Sequence, residues 1–116
     1  MSALNANQLA PDLSVAPQLD PAAMQAAAAA GFRSVINNRP DFEGGPDQPT
    51  NASMEAAARA AGLEYAFLPV SGSFQTAEQA EQMADLMARL PKPVLAFCRS
   101  GTRSGRLYAM ARELRG

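Results

Sequence analysis

Histidine is absent from the 116 residues. Without an imidazole the chain cannot run Ser-His-Asp or Cys-His catalysis by itself, and it lacks the commonest zinc ligand. Cysteine occurs once. A lone thiol closes no internal disulfide, so a reducing compartment and a cytoplasmic location are expected. No apolar run is long enough to span a bilayer. The first ten residues have no basic stretch leading into an apolar one, so no secretory signal is expected. Net charge is only −1, so bulk electrostatics argue against a nucleic-acid or membrane partner.

What is present suits one folded unit. Apolar residues make up 47 % and charged residues 18 %, enough to bury a core. The charge is uneven: from Arg99 onward there are five arginines and one glutamate. The organisation expected is a flexible lead-in over residues 1–12 and one domain over residues 13–116. Leu13 to Ala16 suits a short strand. Asp20-Pro21 suits a helix start, with Asp20 as cap and Pro21 at the first position. The alanine run ends at Gly31, a good helix stop. Arg33 to Asn37 reads as a buried strand, and Asn38 to Thr50, rich in Pro, Gly, Asp and Asn, as a long loop. A second alanine-rich helix over Asn51 to Ala61 and a strand over Tyr65 to Val70 follow. Ser71 to Gln75 is a polar loop.

Thr76 with Gln79 forms a capping box. The helix it opens places Ala80, Met83, Met87 and Leu90 on one face. Val94 to Phe97 is the unbroken apolar run of a strand covered on both sides. Arg103 to Leu114 closes the chain as a helix with Leu107, Met110, Ala111 and Leu114 inward. Strand and helix alternate throughout, which predicts an α/β fold with a parallel sheet of about four strands and helices on both faces.

In such sheets ligands bind beyond the carboxyl ends of the strands. Cys98 stands at that end of the most apolar strand. Arg99, Ser100, Gly101 and Thr102 make a tight turn after it, and a helix begins at once. Successive N–H groups of this turn and the helix N-terminus can face one hollow, and Arg103 can reach over it with a planar fork. All of these favour thiolate, the nucleophilic form. The competing view is a buried cysteine acting as a small hydrophobe. The Arg, Gly and Arg at fixed offsets make that the weaker account. Ser104 is placed to cap the helix and to hydrogen-bond the sulfur. Asn37, Asn38 and Arg39 follow a neighbouring strand and should share the rim. Arg39 is a candidate anion binder, with loop anchoring an equal alternative.

The segment Cys98-Arg99-Ser100-Gly101-Thr102-Arg103-Ser104 resembles the active loop of rhodanese-type sulfurtransferases and that of cysteine-dependent phosphatases. The wider pattern is Val35-Ile36-Asn37-Asn38-Arg39-Pro40-Asp41, Leu68-Pro69-Val70 and then the cysteine loop. It resembles the β-lactamase hydrolase-like, phosphatase-like family, whose members also carry the name sulfurtransferase. The likeness runs from about Leu13 to Leu114. It implies a dual-specificity-phosphatase-like fold; no cofactor or metal is expected. Because relatives occur fused to persulfide dioxygenases, it also implies such an enzyme as a partner.

Two departures from phosphatases bear on the chemistry. Phosphatase loops set five residues between Cys and Arg. Here four stand between Cys98 and Arg103, as suits the tighter cradle of a rhodanese. Phosphatases also carry an aspartate acid after an earlier strand, and Ser71 to Gln75 contains none; Ser71 and Ser73 remain there as candidate substrate contacts. Asp41, Glu43 or Asp47 could stand in as acid, though ordinary exposed loop acids are the favoured account. The first expectation is therefore a sulfurtransferase carrying a persulfide on Cys98 and taking a small anionic sulfur substrate. The alternatives are a phosphatase acting on phosphate esters and a non-catalytic anion- or partner-binding module.

Overall fold

Residues 4–115 are described by the structure, a computed structural model. Five short strands, β1 (Asn7–Ala10), β2 (Leu13–Ala16), β3 (Ser34–Asn37), β4 (Glu64–Phe67) and β5 (Val94–Phe97), form one sheet in the order β1-β2-β5-β3-β4. The last four are parallel, and β1 pairs antiparallel with β2 at the edge. Four helices, α1 (Ala23–Ala29), α2 (Asn51–Ala60), α3 (Ala77–Arg89) and α4 (Thr102–Arg115), supply the connections. The four parallel strands follow the sequence expectation, with the antiparallel edge strand added to it.

The apolar run of β5 is explained by its position. It lies between β2 and β3 with a helical layer on each face, so both sets of alternating side chains are buried. Val94 and Ala96 join Leu13, Val15 and Ile36 against α3 and α4. Leu95 and Phe97 join Val35 and Tyr65 against α1 and α2. Full burial of Leu95 and Phe97 contributes about 1.5–3 kcal/mol each. The strand that leads into the cysteine is thus held on both edges and both faces.

The ends of the chain depart from expectation. The lead-in is not loose throughout: Asn7–Ala10 pairs with β2 as a strand, while Met1 to Ala3 lie outside the described residues. Its side chains are mostly exposed, so no apolar alternation marked it. α1 begins at Ala23, later than Pro21; Asp20 Oδ1 still accepts the Ala23 N–H at 2.9 Å. β4 ends at Phe67, where Leu68-Pro69 leaves the extended ladder. Leu114 is exposed rather than inward.

Candidate active site

Parallel strands put their carboxyl ends at one edge of the sheet, and three chain segments converge there. Cys98 follows β5 directly. Its N–H donates to Ala16 O at 3.4 Å, and the Asn38 N–H donates to Phe97 O at 2.9 Å, so the ladder continues to the cysteine on both sides. The chain then turns at Gly101, which has φ +92° and lies so close to β2 that an added Cβ would meet the Ala16 carbonyl carbon and oxygen at 3.4 Å. Glycine meets both demands, the left-handed backbone and the close approach. The turn aims the Gly101 N–H at Cys98 Sγ, 3.1 Å away. Thr102 opens α4.

Cys98 is 1 % exposed. Burial pushes its thiol up. The Ser104 N–H and hydroxyl and the N–H groups of Ser100 and Gly101 pull the other way, and together they hold it below the ordinary thiol range. The thiolate expected from the motif therefore has a physical basis in the loop's donors.

Arg103 leaves the first turn of α4 and is buried. Its Nη1 donates to Val70 O at 3.0 Å and to Glu43 Oε2 at 3.1 Å, and its Nη2 donates to Glu43 Oε1 at 3.1 Å. Gly72 lets the guanidinium lie flat against the loop after β4: a Cβ there would stand 2.8 Å from Nη2. Arg39 approaches the same carboxylate, with Nε donating to Glu43 Oε1 at 2.9 Å, while its Nη1 donates to Gln18 Oε1 at 3.1 Å. Glu43 thus bridges two arginines. Partial burial pushes its carboxyl up, but the bonds and charges of Arg103 and Arg39 outweigh this and hold it below its usual value. One donor of the fork is left over: Arg103 Nε is the buried side-chain N or O atom without a hydrogen-bond partner among the described residues.

The other residues singled out from the sequence divide sharply. Arg99, Ser100 and Thr102 are exposed, and Arg99 O accepts the Gln18 N–H. Ser104 is buried and its hydroxyl donates to Asn38 Oδ1 at 2.8 Å. Asn38 is not a rim residue. It is fully buried, and its Nδ2 donates to Leu68 O at 2.9 Å, which anchors the chain after β4. Arg39 does face the site, through Glu43. Ser71 and Ser73 are exposed and pair with each other, Oγ to Oγ 3.1 Å, rather than with the cysteine loop.

The three candidate stand-in acids go to different places. Asp41 Oδ1 accepts the Asn51 N–H at 2.6 Å and serves the start of α2, while Asp47 is solvent-exposed. Glu43 is the acid that reaches the arginine, as an ion-pair partner. Its spacing of four residues from Arg39 was the available signal; its meeting with Arg103, 60 residues away, had none. Gln18 was missed for the same reason. Among the described residues no group of three His, Cys, Asp or Glu side chains could hold a metal ion, and no helix is long and apolar enough to cross a membrane.

Comparisons with known proteins show the family and the fold. The family described as beta-lactamase hydrolase-like protein, phosphatase-like domain, matches residues 5–115. A beta-lactamase hydrolase-like protein of Agrobacterium fabrum is 44 % identical over 88 residues, covering 76 % of this chain and 20 % of that protein, and one of Xylella fastidiosa is 44 % identical over 86 residues. The chain spans about a fifth of the length of these curated relatives. Among solved structures, a candidate phosphatase of Neisseria meningitidis superposes with a TM-score of 0.84 at 32 % identity, covering 94 % of this chain and 77 % of the other. The Pseudomonas aeruginosa protein TpbA, solved with phosphotyrosine, shares the fold at TM-score 0.69 and 16 % identity, over 94 % of this chain and 62 % of its own. The five-stranded, mostly parallel sheet with four helices is the fold of cysteine phosphatases.

Proposed function

The chain belongs to the phosphatase-like domain family of beta-lactamase hydrolase-like proteins, and from that premise we propose that it is a cysteine-dependent phosphatase-like hydrolase with Cys98 as nucleophile. The observation that carries the reading is the unpartnered Arg103 Nε on the helix that follows the cysteine. A buried N–H without an acceptor costs roughly 1–3 kcal/mol, and an anion seated on the loop relieves it. Glu43 occupies the other two nitrogens of the fork. It acts as a positioning residue that turns the remaining donor toward the loop.

The reaction follows from these groups. The Cys98 thiolate attacks phosphorus, a sulfur–phosphorus bond forms, and the ester oxygen leaves with its electron pair. Arg103 and the loop N–H groups bear the charge that collects on the phosphoryl oxygens. Water then attacks phosphorus, releasing phosphate and restoring the thiolate. Since Ser71 to Gln75 holds no acid and Glu43 is held ionised, the leaving oxygen departs unprotonated. Aryl esters, whose oxyanions are stable, are therefore the substrate class. The phosphotyrosine complex of TpbA is in keeping with such a substrate.

A second reading, sulfur transfer, is favoured by the four-residue spacing from Cys98 to Arg103. Here the thiolate attacks the outer sulfur of thiosulfate, the S–S bond breaks, sulfite leaves with the bonding pair, and Cys98 keeps a persulfide for a thiol acceptor. This chemistry needs no acid, and a persulfide-consuming dioxygenase is its natural partner. A reduced thiol suits a cytoplasmic setting for either reading.

The test is turnover of an aryl and an alkyl phosphate, with intact-mass analysis of Cys98 after phosphate ester or thiosulfate. We expect aryl hydrolysis that Cys98→Ser abolishes, and much slower alkyl hydrolysis. A sulfur adduct without hydrolysis transfers the assignment to the second reading. Neither adduct nor turnover makes the loop a binding module. Hydrolysis indifferent to Cys98→Ser overturns the nucleophile assignment.

A further inference from the structure

The Ser104 hydroxyl carries one proton and stands between two acceptors. It lies close enough to Cys98 to act on the sulfur, yet its hydrogen bond runs 2.8 Å to Asn38 Oδ1. The amide cannot turn its donor to the serine instead. Asn38 Nδ2 is committed to Leu68 O at 2.9 Å, and a flip would set oxygen against oxygen. The backbone of Asn38 is fixed as well, by its N–H to Phe97 O and by the Val70 N–H to its own carbonyl. Asn38 and Ser104 are both 0 % exposed, so bulk water does not reach either partner.

From this juxtaposition we propose that Asn38 is a positioning residue that sets the reactivity of Cys98 by competing with its sulfur for the single proton of Ser104. With a neutral thiol the proton belongs to Asn38. When the sulfur carries charge, as free thiolate or as the group expelled when the covalent intermediate breaks down, the hydroxyl rotates and donates to sulfur. Oδ1 of Asn38 then loses its partner. A buried acceptor left unpaired is unfavourable, so the amide restrains the thiolate, and the loop N–H groups stabilise it against that restraint. No bond is made or broken; one hydrogen bond is exchanged for another. The inference rests on Cys98 working as a thiolate, and it applies equally to phosphate and to sulfur chemistry.

The experiment is the alkylation rate of Cys98 against pH in the full chain, for wild type, Asn38→Leu, Ser104→Ala and the double variant. Asn38→Leu removes the acceptor and frees the serine for sulfur. Its midpoint should fall, with the thiolate fraction below the wild-type midpoint rising about tenfold. Ser104→Ala should raise the midpoint, and in that background Asn38→Leu should have no further effect. Asn38→Ala, which adds no bulk, carries the same prediction if the leucine variant does not fold by thermal melt. A midpoint unmoved by loss of the acceptor overturns the proposal, as does a shift that survives in the Ser104→Ala background. If the wild-type midpoint sits in the ordinary thiol range while the Asn38 effect is present, the thiolate reading falls and the assignment of Asn38 stands.

Discussion

Two amides from different elements meet at the hydroxyl of Tyr65. Asn37 Nδ2 donates to it at 3.0 Å, and it donates to Asn51 Oδ1 at 2.7 Å. Burial pushes the phenol up to about 12, so it stays neutral and can donate at any ordinary pH. Tyr65→Phe leaves both amides short of a partner beneath α2. The expected cost is about 1–2 kcal/mol, read as a lower denaturation midpoint with an unchanged slope against denaturant.

Cys98 also titrates by itself. Since its folded value lies below the ordinary thiol range, alkylation by iodoacetamide should stay fast as pH falls below that range and collapse only at lower pH. In urea the same thiol should lose this advantage. The importance of Cys98 could be read from the sequence because its donors, Gly101 and Ser104, are chain neighbours. Asn38 was legible only as a polar residue after a strand, and its burial against Ser104 came from β3 lying beside β5.

Helix boundaries were decided by local hydrogen bonding where a cap stood next to them. Thr76 Oγ1 accepts from the Gln79 N–H at 3.0 Å, and Gln79 Oε1 accepts from the Thr76 N–H at 2.9 Å. This is the reciprocal box that the two residue types imply. Thr76→Ala should cost about 1 kcal/mol, a small drop in melting temperature with the activity of Cys98 retained. The acid on the long loop was harder to assign from types alone. Asp41 holds the Asn51 N–H across ten residues of loop, so Asp41→Ala should loosen the start of α2 and lower stability without changing the pH dependence of turnover. A loss of the acidic limb of the rate profile would instead restore Asp41 as an acid. Strand β1 escaped detection because an edge strand needs only backbone pairing, and its polar side chains show no alternation. Leu114 fits the helical period, but it lies in the last turn of α4, where it is 47 % exposed.

Across the molecule, Arg39, Glu43 and Arg103 tie the loops after β3 and β4 to the start of α4. Glu43→Gln keeps the shape and removes the charge. It should cost about 1–3 kcal/mol, lessened by partial exposure, and weaken anion binding by letting Arg103 wander. The pH dependence has a definite sign. The folded carboxyl lies below the ordinary carboxylate range, so the stabilisation is complete above that range and is lost as pH falls through the folded value. Thermal melts of wild type and Glu43→Gln should therefore differ at neutral pH and converge in acid. A gap that persists unchanged in acid would mean the ion pair is not its source.

The alternation of strand and helix, the doubly covered β5 and the cysteine loop at its end were determined by the sequence alone. Each rests on periodicity, capping or turn chemistry acting within a few residues. Which side chains meet behind the cysteine loop was decided by the tertiary structure. Glu43 reaches Arg103 across 60 residues and Asn38 reaches Ser104 across 66. Parallel strands bring their carboxyl ends to one edge whatever their distance along the chain. No local pattern encodes which side chains meet there.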